Sequence, residues 1–139
     1  MRFWPIAVII FLTGCLDEDL ADRFLADESL RSLSPLAAES RIFFCAVAVY
    51  STSPLSDPPE LTGNFEPWST IPLSERVHAE AIEMRAISNE CWDEDIQRAT
   101  EAADPWEYLD AAKPTNSFDH AGNVALFDPK RNIFIAISG

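Results

Sequence analysis

The sequence predicts a small α+β domain, an antiparallel sheet of about three strands packed with helices and tied by one disulfide. Three observations carry this. Ile42 to Tyr50 is a near-continuous run of β-branched, aromatic and small apolar residues, as in a strand buried on both faces. Asn123–Asp128 and Asn132–Ser138 flank Pro129-Lys130-Arg131, a β-hairpin pattern. From Ser74 to about Asp104, apolar residues recur at helical spacing. A buried helix is the alternative for the first run, because its alanines and the preceding Leu36-Ala37-Ala38-Glu39 would extend one.

Taken in order, the chain opens with Met1 and Arg2, a positive start, followed by ten residues from Phe3 to Leu12 that are apolar apart from the ring of Pro5. A transmembrane helix needs roughly 20 residues, so this run is too short to span a bilayer. It has the length of the apolar region of a secretory signal, roughly 7–15 residues. Leu12-Thr13-Gly14-Cys15 comes next. These residues resemble the lipobox of bacterial lipoprotein signal peptides. The resemblance implies that residues 1–14 are a signal peptide, that the Cys15 sulfur receives diacylglycerol, and that the new amine is acylated after cleavage. It implies stable anchoring by two or three acyl chains, each buried CH₂ contributing about 0.8 kcal/mol. It also implies a cell-envelope protein on the periplasmic side. Leu16 rather than Asp follows the cysteine, which favours the outer over the inner membrane in a host with two. The resemblance ends at Cys15, and beyond it no domain family is recognised.

Arg2 is the only charged residue before Cys15, so the chain from Cys15 onward carries 9 basic and 23 acidic residues, a net charge of −14. That excludes nucleic acid as a partner, since a phosphate backbone needs Lys and Arg to displace its counterions. It equally excludes electrostatic attraction to anionic lipid, leaving the acyl chains as the membrane contact. A basic protein partner fits such a charge; so does plain solubility. The remaining 125 residues suffice for one core. Cys45 and Cys91 form an even pair, which in an exported protein reads as a disulfide. Closing a loop of that size would stabilise the fold by roughly 4 kcal/mol. Two unpaired buried thiols are the alternative. No CxxC or HxxxH spacing supports a metal site.

Residues 15–33 form the lipidated N-terminus and an acidic segment, and residues 34–139 the α+β domain. Leu16, Leu20 and Phe24 recur four apart among Asp17, Glu18, Asp19 and Asp22. The spacing predicts two turns of amphipathic helix; the polarity alone would equally make a tether. Ser34-Pro35 is placed to open a helical turn. Ser51 to Pro72 holds five prolines and is a long loop. Its Phe65 and Trp68 either pin the loop to the core or form a candidate binding surface. Ser74 caps a helix whose Val77, Ala81 and Met84 share a face. That helix runs on, or breaks near Ser88-Asn89 and restarts through Cys91 and Trp92. Glu94 and Arg98 make an i,i+4 pair. Asp104-Pro105 ends the helical region, and Trp106, Tyr108 and Leu109 give one more apolar turn closed by Lys113-Pro114. Thr115 to Gly122 reads as a polar loop.

Few constellations suggest chemistry. Ser117, Asp119 and His120 are neighbours, but triad members normally meet from separate segments and no GxSxG surrounds any serine. His78 shares a helical face with Glu75 and lacks a second ligand at i+3 or i+4. Asp93-Glu94-Asp95 points in three directions on a helix, as a solvated start rather than a cation cage. Trp68, Trp92 and Trp106 fill a core or line a ligand pocket. The expectation is an acidic, lipid-anchored envelope protein of non-enzymatic binding or assembly type, with no catalytic, metal or cofactor residues. The alternatives are an envelope hydrolase with an unrecognised site and a small-ligand-binding lipoprotein.

Overall fold

The computed structural model describes residues 20–31, 33–41, 45–73, 75 and 89–138. The lipobox residues, Ile42–Phe44, the Ser74 cap, His78 and the Val77-Ala81-Met84 stripe lie outside the described residues. The chain is α+β, as predicted, but its antiparallel sheet has five strands rather than three, in the order β1-β2-β5-β4-β3. They are β1 (Ala37–Arg41), β2 (Cys45–Ser51), β3 (Thr115–Phe118), β4 (Asn123–Asp128) and β5 (Ile133–Ser138). The helices are α1 (Glu28–Arg31), α2 (Glu94–Thr100) and α3 (Pro105–Ala112), with a 3₁₀ turn at Asn89–Cys91 and a helical turn at residues 20–24.

The three predicted strands are present. Cys45–Ser51 pairs with β5, and β4 and β5 form the C-terminal hairpin, with Leu126 opposite Ile135. Asn132 takes a left-handed φ of 51° in the connecting turn, a conformation asparagine tolerates. The two added strands flank these. Ala37–Arg41 pairs with β2 in a hairpin, Ala38 opposite Ala48. Ser34-Pro35 therefore leads into a strand and opens no helix, and the helix-favouring Leu36-Ala37-Ala38-Glu39 is overridden by cross-strand pairing. Thr115–Phe118, expected in a polar loop, is the edge strand β3 beside β4.

Side chains alternate across the sheet and build two cores. On one face, Val47, Val49, Val124, Leu126, Ile133, Ile135 and Ile137 meet Cys91, Trp92, Ile96 and Tyr108 of the helical region. The Cys45–Cys91 disulfide ties β2 to the 3₁₀ turn there, with Cα atoms 6.0 Å apart, as the even cysteine pair predicts. On the opposite face, Tyr50 and Phe134 flank a row of small residues that crosses all five strands in register: Ala38, Ala48, Ala136, Ala125 and Ser117. Leu20, Ala21, Phe24 and Leu25 pack on this face and are each at most 3% exposed. A shelf of alanines lets a backbone approach closely, and the residue-20 segment with the Pro-rich loop covers it.

The helical region starts and stops at defined caps. Asp93 accepts a hydrogen bond from Ile96 N (3.0 Å) and begins α2, so the restart falls after Trp92. Glu101 ends α2 in the left-handed region. Asp104-Pro105 opens α3 rather than closing a helix, with the Asp104 carboxylate on Glu107 N (2.8 Å) and proline at the first helical position. Arg98 pairs with Asp95 (3.1 Å), three residues back, rather than with Glu94. Lys113 ends α3 at φ 45°.

Candidate functional site

The Pro-rich stretch is bound to the sheet at several points. Leu61 bridges Leu25, with Ala26 N donating to Glu60 O and Thr62 N to Phe24 O, both at 2.9 Å. Further along it runs beside the β3 edge. Glu66 N donates to Phe118 O (2.9 Å), and Ser69 and Asn116 exchange two backbone bonds (2.8 and 2.9 Å). The loop therefore covers an edge that would otherwise invite strand addition. Phe65 stacks tilted on Phe24 with ring centroids 4.9 Å apart. Trp68 donates its indole N–H to Pro59 O (2.8 Å). Both aromatics are half-buried against the second core, so they order the loop from beneath. Ile71, 52% exposed, is the large apolar side chain this loop presents to solvent. Its backbone is held on both sides, N–H by Ser69 Oγ (3.1 Å) and C=O by Asn116 Nδ2 (2.9 Å).

The Ser117-Asp119-His120 neighbours do not form a catalytic relay. Ser117 Oγ donates to Glu66 O. Asp119 accepts from Ala121 N (3.0 Å), Asn123 N (2.9 Å) and Asn123 Nδ2 (2.8 Å), which folds the β3–β4 turn. His120 Nε2 lies 3.2 Å from Glu66 Oε1 on an exposed surface. Each group is used to hold the turn and loop together, and no serine–histidine hydrogen bond exists among them.

The densest polar cluster among the described residues was not anticipated. Asp128, 2% exposed, accepts from Tyr108 OH (3.0 Å), Arg131 Nη1 (3.0 Å), Lys130 N (3.0 Å) and Arg131 N (3.3 Å). Arg131 reaches on to Glu101 at 3.3 Å. Burial, reinforced by the charge and hydrogen bond of Asp128, pushes the Tyr108 hydroxyl far above its ordinary value. The hydrogen bond to Asp128 likewise raises Arg131. Tyr108 is thus fixed as a donor and Arg131 as a cation, and neither is poised to exchange a proton near neutrality. The cluster fastens the β4–β5 turn to the end of α2 and to α3. The sequence held one hint: Asp128 two residues before Lys130, in turn-forming order after a strand. Its partner Tyr108 lies 20 residues away, which no local pattern signals.

Trp92 donates to Ala102 O (3.1 Å) and fills the first core, while Trp106 is partly buried against it. Among the described residues, no group of three or more His, Cys, Asp or Glu side chains is arranged to hold a metal ion. Asp93 is a cap and Glu94 and Asp95 are exposed, as a solvated helix start requires. No helix among the described residues is long and apolar enough to cross a membrane. No family model matches this chain, and neither does any curated protein or solved structure.

Proposed function

We propose that this chain is a lipid-anchored cell-envelope protein of binding or assembly type, held at a membrane by acyl chains on Cys15 and offering an acidic domain to a basic protein partner. The supporting observation is the cysteine arrangement. Cys45 and Cys91 are bonded to each other inside the first core, and a buried disulfide suits an oxidising compartment outside the cytoplasm. It uses two of the three cysteines of the chain. The third stands in Leu12-Thr13-Gly14-Cys15, where lipidation gives an otherwise unmatched exported thiol a chemical role. Leu16 after it favours the outer membrane in a host with two.

The Pro-rich loop is the favoured contact surface. Residues 51–75 contain Asp57, Glu60, Glu66 and Glu75 and no lysine or arginine. Phe65 and Trp68 hold its shape, and Ile71 supplies an exposed apolar contact. A charge-steered complex associates more slowly as salt rises, because surface charges are screened beyond about 8 Å at physiological ionic strength. The test takes a partner cross-linked in native envelopes and measures its association rate at low and high salt. It compares wild type with Ile71→Ala and with Trp68→Ala. The proposal expects a rate that falls with salt and a complex weakened by both substitutions. A salt-independent rate contradicts the basic partner; unchanged affinity in both variants contradicts the loop.

A further inference from the structure

We infer that Thr70–Ile71 is the reactive bond of a serine-endopeptidase inhibitor. The Pro-rich loop offers this bond to the cleft of an endopeptidase whose specificity pocket takes a small β-branched side chain. The inference rests on the loop being the contact surface proposed above, and names the class of partner; it does not rest on the anchor. Its basis is which backbone groups the loop ties down and which it leaves out. Ser69 and Asn116 form an isolated antiparallel bridge with both bonds made, at 2.8 and 2.9 Å. In an antiparallel pair, successive residues turn their N–H and C=O to opposite sides. Ser69 faces the sheet, so the backbone groups of Trp68 and Thr70 face outward. Among the described residues, none of these groups makes a hydrogen bond. An endopeptidase cleft takes up such alternate residues, because it binds its substrate as an added antiparallel strand. Thr70, Ile71 and Pro72 are all exposed, and Leu73, 3% exposed, returns the chain to the first core. The Thr70 carbonyl is therefore free to enter an oxyanion hole. Residues 67–73 carry no charge, and threonine suits a small apolar pocket.

A guard of the β3 edge would need the Ser69 bridge alone. An inhibitor must also survive being cut. The enzyme's serine hydroxyl adds to the Thr70 carbonyl carbon and the Thr70–Ile71 bond breaks, while the serine proton passes through the enzyme's histidine to the Ile71 nitrogen. The acyl-enzyme then reacts with water, or the Ile71 amine re-adds and the serine recovers its proton. In this loop the amine is held in place. Ile71 N–H is bonded to Ser69 Oγ (3.1 Å), and Ile71 C=O accepts from Asn116 Nδ2 (2.9 Å). Both sides of the bond thus hang on one residue. Asn116 holds Ser69 through its backbone and Ile71 through its side chain, and is itself 2% exposed within β3. The two new chain ends stay in register, which favours re-formation of the bond over hydrolysis. The same bracing presents the intact loop already ordered, as tight protease–inhibitor complexes require.

The test sets the full-length protein against pancreatic elastase, whose pocket is small, and trypsin, whose pocket carries a carboxylate. Wild type should inhibit elastase and leave trypsin active. Thr70→Lys, at an exposed position, should weaken elastase inhibition by about a hundredfold and turn the protein into a trypsin inhibitor. On long incubation with elastase, mass spectrometry should find wild type cut slowly and at Thr70–Ile71, levelling off at a mixture of intact and cut chains. Ser69→Ala should speed that cut by about fivefold, the weight of one hydrogen bond. Elastase left active by wild type overturns the inference, as does a Thr70→Lys form that leaves trypsin active. Rapid and complete cleavage of wild type at Thr70–Ile71 also overturns it, since the loop is then a substrate. Elastase inhibition that Thr70→Lys leaves unchanged places the contact elsewhere and has the same consequence. These failures are distinct from failure of the contact loop. A cross-linked native partner that is weakened by Ile71→Ala and Trp68→Ala keeps the loop, while an uninhibited elastase removes the endopeptidase alone.

Discussion

Asp128 receives four hydrogen bonds while almost wholly buried, and its neighbourhood shows how this chain uses polar residues. Burying a carboxylate is unfavourable unless donors satisfy it, and here a tyrosine, a guanidinium and two backbone amides do so. Tyr108→Phe removes one donor and leaves the acceptor in place. Because hydrogen bonds to charged groups contribute about 1.5–3 kcal/mol, the substitution is expected to lower unfolding free energy by that amount in urea titrations. The shift of Tyr108 adds a pH signature. Its folded pKa is raised above the unfolded value, so its contribution is complete below about pH 10. The contribution is lost as pH climbs beyond, since the unfolded tyrosine ionises first. Wild type should therefore lose stability above about pH 10 more steeply than Tyr108→Phe, by up to about 1.4 kcal/mol per pH unit. Parallel curves would contradict the assignment. Asp119 works in the same way at the other end of the sheet, with both oxygens committed to its own turn. That commitment is why the adjacent Ser117 and His120 carry no relay.

The elements differ in how openly the sequence declares them. Ile133, Ile135 and Ile137 alternate with Phe134 and Ala136, and both sets are buried as that alternation requires. The disulfide was legible from the two cysteines that remain once Cys15 is assigned to the lipobox of an exported chain. β1 and β3 were not. Ala37–Arg41 has helix-favouring composition and becomes a strand because β2 pairs with it. Thr115–Phe118 reads as a loop because Asn116 and Ser117 are polar; they are buried at 2% and 0% because the Pro-rich loop supplies Ile71 O and Glu66 O as acceptors. A partner that arrives from 45 or 51 residues away leaves no local trace. The acidic N-terminal segment was ambiguous between helix and tether for a related reason. Its apolar residues match a shelf of alanines that only the assembled sheet creates. Phe24→Ala tests whether this segment supports the fold. It should cost about 3–5 kcal/mol, as for a buried phenylalanine, and a free tether would show no change. Cys91→Ser should cost about 2–5 kcal/mol, read from chemical denaturation under non-reducing conditions. Two alkylatable thiols in freshly extracted wild type would contradict the bridge.

At the scale of the whole molecule, the sheet is covered on both faces and along its β3 edge, and the described polar clusters serve the fold. The two cores bury the apolar residues that alternate along the strands, and the described acids other than Asp119 and Asp128 lie partly or fully exposed. What the protein does is therefore argued from address and charge. The candidate loop was legible in its prolines and aromatics. The roles within it were not, because which aromatic lies beneath and which apolar residue projects depends on contacts with residues 24 and 116. The account turns on Cys15, which sets the compartment and the attachment at once. The direct measurement is mass spectrometry of the N-terminal peptide from the membrane fraction of cells producing the full chain. The account predicts a peptide beginning at Cys15 that carries diacylglycerol on sulfur and an acyl chain on its amine. An intact Met1, or an unmodified Cys15 in soluble protein, would contradict it.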